Sequence, residues 1–200
     1  MNTEVLIVDN GGANIASIAF ALARLKRCVR VSSDAQDVMD ASHVILPGVG
    51  SAGPAMARLQ RRGLDIALRA RTRPVLGICL GMQLLFEHSA ESDSACLGTL
   101  QGRVERVPTA PGIYVPHMGW NQLHWLSPHP LFEGIPLGSH AYFVHSYAAG
   151  IGPYTTARCE HGMAFSAAVS RQQWHGVQFH PERSGALGAR ILQHFLAMAA

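Results

Sequence analysis

No two cysteines stand close enough to share a zinc ion or a redox turn. Cys28, Cys79, Cys96 and Cys159 are scattered, and no Cys-x-x-Cys pair occurs. Lysine is nearly missing, since fifteen of the 16 basic residues are arginine. Charged residues make up only 14% of the chain against 48% hydrophobic, which excludes a disordered or coiled chain. No apolar run approaches the roughly 20 residues of a membrane span. The opening Met1-Asn2-Thr3-Glu4 lacks a charged region, a long apolar region and a cleavage site. These absences read as a cytoplasmic protein without a membrane partner, where a reducing milieu keeps thiols free. Basic residues are densest from Arg58 to Arg73, without interleaved aromatics. That run reads as a solvated helix face and not as a nucleic-acid surface.

What is present alternates. Val5-Leu6-Ile7-Val8 is an unbroken apolar run, as in a parallel strand covered on both faces. Residues 9–14 turn into a helix whose Ile15, Ile18, Leu22 and Leu25 share a face. The turn lacks the Gly-x-Gly-x-x-Gly fingerprint, which tells against a dinucleotide. Strands are predicted at 29–31, 43–46 and 75–78, with a helix capped at Ser33-Asp34 and others after Ser51 and over 64–70. This predicts an α/β fold: a doubly wound, mostly parallel sheet with flanking helices. Residues 80–86 continue the last strand as a helix, and 87–95 read as a surface loop. Beyond residue 100 the runs are shorter and richer in Tyr, Trp, Thr and Val. Strands at 104–107, 142–145, 164–168 and 174–179 predict a smaller antiparallel portion. A last helix begins near Ser184. No repeat or linker interrupts the chain, so residues 1–200 read as one domain.

Cys79 stands where the fourth strand meets the following helix, between Gly77 and Gly81. Gly-x-nucleophile-x-Gly is the spacing of a nucleophile elbow, whose sharp turn leaves no room for a Cβ on either side. A thiol there sits at a helix N-terminus, where unpaired N–H groups favour thiolate. The plainer alternative is a buried cysteine in a packing joint. A thiol nucleophile needs a base, and His180 ends an apolar strand just before Pro181, which forces a turn and presents the ring at the strand tip. Glu182, two residues on, is within reach to orient the imidazole. Taken singly, these two also read as a strand-end histidine and a helix-start carboxylate.

Together the segments are specific. Gly77-Ile78-Cys79-Leu80-Gly81-Met82-Gln83 with Phe179-His180-Pro181-Glu182 resembles the class I (triad) glutamine amidotransferases, and Pro47-Gly48-Val49-Gly50 resembles that family's oxyanion turn. The resemblance covers essentially the whole chain. It implies Cys79 as nucleophile, His180 as base and Glu182 as its orienting carboxylate. It implies an oxyanion hole from Leu80 N–H and from Val49 or Gly50. Glutamine contacts would fall on Gly48, Gly50, Gln83, Ser146 and Tyr147, with no cofactor and no metal. Pro116-His117-Met118-Gly119-Trp120-Asn121 and Tyr142-Phe143-Val144-His145-Ser146-Tyr147 resemble the glutaminase subunits of imidazole glycerol phosphate synthases in histidine biosynthesis. Asn10 and Ala13 stand where that group commonly has tyrosine and glycine. The resemblance implies a (β/α)8-barrel cyclase as partner in a heterodimer, docked on Asn14, His117, Trp120 and Arg183. Two rival classes are a stand-alone thiol hydrolase and a non-catalytic scaffold. The Gly-Met-Gln and Pro-Gly-Val-Gly segments tell against the first, the intact triad against the second.

Overall fold

The computed structural model describes residues 5–11 and 14–199. Residues 1–4 and Gly12-Ala13 of the first turn lie outside them. Strands β1 (Val5–Val8), β2 (Val29–Ser32), β3 (His43–Leu46) and β4 (Val75–Ile78) alternate with α1 (Ile15–Arg24), α2 (Ala35–Asp40), α3 (Ala52–Arg61) and α4 (Leu64–Ala70). A single turn, α5 (Leu80–Gln83), follows β4. Then come β5 (His88–Ser89), β6 (Ser94–Ala95), β7 (Arg103–Arg106), β8 (His117–Gln122) and β9 (His124–Trp125). The chain closes with β10 (His140–His145), β11 (Tyr147–Ala149), β12 (Thr155–Glu160), β13 (Ala164–Arg171), β14 (Trp174–Val177) and α6 (Gly185–Leu196).

The main sheet has the order β2-β1-β3-β4-β14-β13-β12-β9. Its first five strands are parallel and the last three antiparallel. The antiparallel strands are thus shared out. Three extend the main sheet, β8 and β10 form a ribbon, and β11, β7, β5 and β6 form a small sheet. Side chains alternate across each strand, so Val5 and Ile7 enter one core and Leu6 and Val8 another. The first core lies under α1 and α6, the second under α2, α3 and α4. Covering both faces is what buries β1, β3 and β4 throughout, apolar apart from His43 at the start of β3.

Three expectations are corrected. Asp34 caps α2 as foreseen, accepting from Gln36 N–H at 2.7 Å and Asp37 N–H at 3.3 Å, but the helix over 80–86 stops at Gln83. The carbonyls of Leu84, Leu85 and Phe86 are taken instead by the N–H groups of Leu97, Leu100 and Gly98. Residues 87–95 are no loop, because β5 and β6 pair as a hairpin and β5 adds to β7. The arginines from Arg58 to Arg73 are a solvated face only in part, for Arg61, Arg62, Arg69 and Arg73 are exposed while Arg71 is buried. Arg58, Arg62, Arg69 and Arg73 clasp carbonyls of distant turns. Arg71 is 2% exposed, and its guanidinium binds the carbonyls of Val38, Ala41 and Ser42. A planar fork of donors suits such crowded carbonyls better than an ammonium does.

Candidate active site

The parallel strands β1, β3, β4 and β14 all point the same way, so their carboxyl ends share one edge of the sheet. Pro47-Gly48-Val49-Gly50 leaves β3 there, Cys79 leaves β4, and Gln178-Phe179-His180 leaves β14. The register between the last two strands does the rest. Val177 lies opposite Ile78, and Cys79 N–H donates to Val177 O at 2.8 Å. One residue further, Gln178 stands beside the sulfur, and His180 follows.

Glycine makes the elbow possible. A Cβ on Gly77 would stand 2.6 Å from Gly81 O and Met82 N, and one on Gly81 would run into the Leu46 carbonyl. Cys79 itself has φ 54° and ψ −113°, a region that costs a non-glycine residue about 1–3 kcal/mol. The sulfur is thereby lifted off the strand into a cavity of about 190 Å³. Gly48, Val49, Gly50, Leu80, Gln83, Glu91, His145, Ser146, Tyr147 and His180 line it. Larger hollows of about 680 and 640 Å³ meet at His129, and the first reaches the amino ends of β4 and β14; neither contains a triad residue.

His180 Nδ1 lies 2.8 Å from Glu182 Oε1, and Glu182 is 1% exposed in its side chain. The other oxygen, Oε2, is buried with no hydrogen-bond partner among the described residues, so the imidazole is the carboxylate's counterpart. With Nδ1 so engaged, the far nitrogen of the ring is left for Cys79. Burial by itself would lower the His180 pKa. Hydrogen bonds and Coulombic attraction from Cys79 and Glu182 outweigh it and push it up to about 10. Both contacts favour a proton on the ring. Because α5 is one turn long, its dipole is small, and the expected helix-terminus effect gives way to these direct contacts.

The other foreseen residues divide. Gly48, Val49, Gly50, Leu80, Ser146 and Tyr147 border the sulfur's cavity. Gln83 borders it too, but its amide N–H groups are committed to Tyr147 O at 2.8 Å and Gln178 Oε1 at 2.9 Å. Asn14, Trp120 and Arg183 are exposed, and Arg183 lies over the Tyr142 ring, which meets Trp120 edge-on. His117 is the exception. At 4% exposure it is stacked between Phe143 and His161, beneath the outer face and not on it. Sequence reasoning missed Glu91, Gln178 and Ser184. The Ser184 hydroxyl accepts Tyr142 N–H at 3.0 Å and donates to His180 O at 2.7 Å, tying β10 to the base. Ser184 was signalled only as a helix start, and Glu91 sat within a polar run.

A cysteine, an imidazole and a buried carboxylate around a small cavity are the groups that thiol acyl transfer requires. The family model described as glutamine amidotransferase class-I matches residues 6–199. The chain is a class I glutamine amidotransferase. Its relatives include the imidazole glycerol phosphate synthase subunit HisH of Xylella fastidiosa (strain Temecula1 / ATCC 700964), 54% identical over 99% of each chain. The protein so described from Xanthomonas euvesicatoria pv. vesicatoria (strain 85-10) is 52% identical over 98% of each. Among solved structures, one titled glutamine amidotransferase superposes with a TM-score of 0.75 at 20% identity, over 96% of each chain. PurLQS from Thermotoga maritima gives 0.74 at 20% identity, over 98% of each. At that identity the match speaks for the amidotransferase fold alone. Among the described residues no helix is long and apolar enough to cross a membrane.

Proposed function

We propose that this chain is the glutaminase subunit of imidazole glycerol phosphate synthase in histidine biosynthesis. The observation that carries the reading is the Cys79–His180–Glu182 constellation within a chain 54% identical, end to end, to a HisH subunit. Cys79 Sγ attacks the side-chain amide carbon of glutamine. His180, having taken the thiol proton, hands it to the leaving nitrogen, and ammonia departs. Water activated by His180 then cleaves the γ-glutamyl thioester, so glutamine and water become glutamate and ammonia. The charge on the tetrahedral oxygen is met by Leu80 N–H and by an N–H from Val49 or Gly50. Gly50 at φ 84° gives that turn the freedom to rotate a peptide plane.

Glu91 extends the substrate reading. It borders the cavity, and Oε2 accepts the Ala52 N–H at 3.1 Å, which fixes the carboxylate at the start of α3. Its remaining acceptor capacity suits the α-ammonium of glutamine. Glu91→Gln is expected to raise the KM for glutamine about tenfold with kcat little changed, read from steady-state glutaminase kinetics.

The ammonia acceptor is a (β/α)8-barrel cyclase docked over the catalytic edge in a heterodimer. Support comes from Trp120 and Met118, 56% and 64% exposed on a strand whose partner β10 is bonded to His180 through Tyr142 O. Arg183 joins them across the Tyr142 ring, and Asn14 is exposed as well. Such an aromatic and arginine pairing is typical of interface anchors. The cytoplasm is where this pathway runs. Purified chain is expected to hydrolyse glutamine slowly alone and far faster with the cyclase and its ligand, and equal rates would sink the proposal. Trp120→Ala should weaken docking about tenfold or more, measured by calorimetry, without lowering the melting temperature of the free chain.

A further inference from the structure

Four polar side chains remain without a task in the reaction: Gln178, His145, His117 and Asn121. With Gln83 and the Tyr147 carbonyl between them their atoms form one connected run, whose two halves both donate to that carbonyl. At its outer end Asn121 is oriented by backbone, since Oδ1 accepts Gln122 N–H at 2.7 Å and Nδ2 donates to Glu160 O at 2.9 Å. The second Nδ2 proton faces His117 Nε2 at 3.2 Å, so that nitrogen carries no proton. His117 Nδ1–H then donates to His145 Nε2 at 2.9 Å, and His145 Nδ1–H to Tyr147 O at 2.9 Å. From the inner end the answer is the same. A carbonyl only accepts, so Tyr147 O demands the proton on His145 Nδ1. Two independent ends impose one pair of tautomers.

The run continues to the nucleophile. Tyr147 O also takes an N–H of Gln83 at 2.8 Å, and the other Gln83 proton goes to Gln178 Oε1 at 2.9 Å. Gln178 is therefore left with its Nε2–H turned on Cys79 Sγ at 3.7 Å. A thiol donates, whereas a thiolate only accepts. Val144 O, 3.6 Å from the sulfur, suits the thiol; Gln178 and His180 suit the thiolate. Burial keeps both linking rings uncharged. It lowers the His145 pKa to about 3, with His117 adding to the effect, and the His117 pKa to about 4, with His161 adding.

We infer that Gln178 is a positioning residue for the Cys79 sulfur, its amide held in that orientation by Gln83, which the Tyr147 carbonyl orients in turn. The inference rests on the amidotransferase reading for the sulfur's role. Gln178 does not border the substrate cavity and acts only through the sulfur. His117 touches neither.

The test is the pH profile of iodoacetamide alkylation at Cys79 in the full chain, followed by peptide mapping, alongside glutaminase kinetics with the cyclase. Gln178→Met is expected to raise the alkylation midpoint by about one pH unit. It should lower kcat about tenfold while KM stays within about twofold. Gln83→Met should move the midpoint in the same direction by less. Parental midpoints in both variants overturn the inference. A change confined to Gln178→Met overturns it too, because Gln178 would then act without Gln83. If Gln178→Met loses its cooperative melt, Gln83→Met decides alone: a raised midpoint supports the inference and an unchanged one refutes it. Alkylation needs no glutamine. Shifted midpoints in a chain that never hydrolyses glutamine would fail the amidotransferase reading and leave the geometry of the run standing.

Discussion

Cys79→Ala is expected to lower glutamine hydrolysis by about 10⁴-fold or more, with partner binding unchanged and a cooperative melt retained. The size of the loss follows from covalent catalysis: without the sulfur no acyl-enzyme forms, and the oxyanion donors have no adjacent nucleophile. The fold should tolerate the change, because alanine keeps the Cβ that the elbow already accommodates at φ 54°. Cys79→Ser should be nearly as inactive, since a hydroxyl is far harder to ionise beside His180 than a thiol. A glutamine-like chloroketone should label Cys79 alone. Burial pushes the Cys96 and Cys159 thiols up to about 11 and about 12, and Cys28, though exposed, lies outside the cavity. A Cys79→Ala rate within tenfold of the parent would remove the basis for the mechanism.

The parallel half of the fold was readable because its signals are local. β1, β3 and β4 are apolar apart from His43, and each ends in glycine or proline within a few residues. β12 was missed because Thr155–Glu160 interleaves threonine, alanine, arginine and glutamate. Its place is set by pairing with β13, which no local pattern reports. The arginine run was legible as exposed but not as bonded, for a similar reason. Six arginines in sixteen positions resemble a wet surface, and only the tertiary fold brings the carbonyls of Asp9, Val38, Asp40 and Leu97 within their reach. α5 was drawn too long because Leu84, Leu85 and Phe86 have good helical propensity. The segment at 97–100 competed for their carbonyls and won.

The meeting of Cys79, His180 and Glu182 was legible through spacing: glycines two residues either side of a thiol, and a histidine before proline and glutamate. The residues that support it were not. Gln178 precedes the base by two positions and is recognisable only once β14 is laid beside β4 in register. Glu91 reaches the cavity from the hairpin that was taken for a loop. His117 was placed on a docking face by its neighbour Trp120, but alternation along β8 sends consecutive side chains to opposite sides.

His180→Asn is expected to cost about 10³-fold to 10⁴-fold in kcat, and Glu182→Gln about 10²-fold, because the first removes the proton carrier and the second only its holder. The pair also predicts a pH signature. In the folded chain the His180 pKa is raised from 6.5 to about 10. A group raised on folding contributes stability that is fully present below the unfolded value. It is lost as pH rises through the folded one. The parent should therefore lose melting temperature between pH 6.5 and about 10. Glu182→Gln takes away one of the two partners that outweigh burial, so the titration midpoint of His180 must fall and the alkaline loss must begin earlier. In a Cys79→Ala, Glu182→Gln double variant, burial stands unopposed by either. The midpoint should then drop below 6.5, and the sign reverses, with stability lost on acidification instead. Proton NMR of the His180 ring against pH, paired with thermal melts, reads both quantities. A midpoint that does not move in the double variant would mean that neither the sulfur nor the carboxylate holds the proton on that ring.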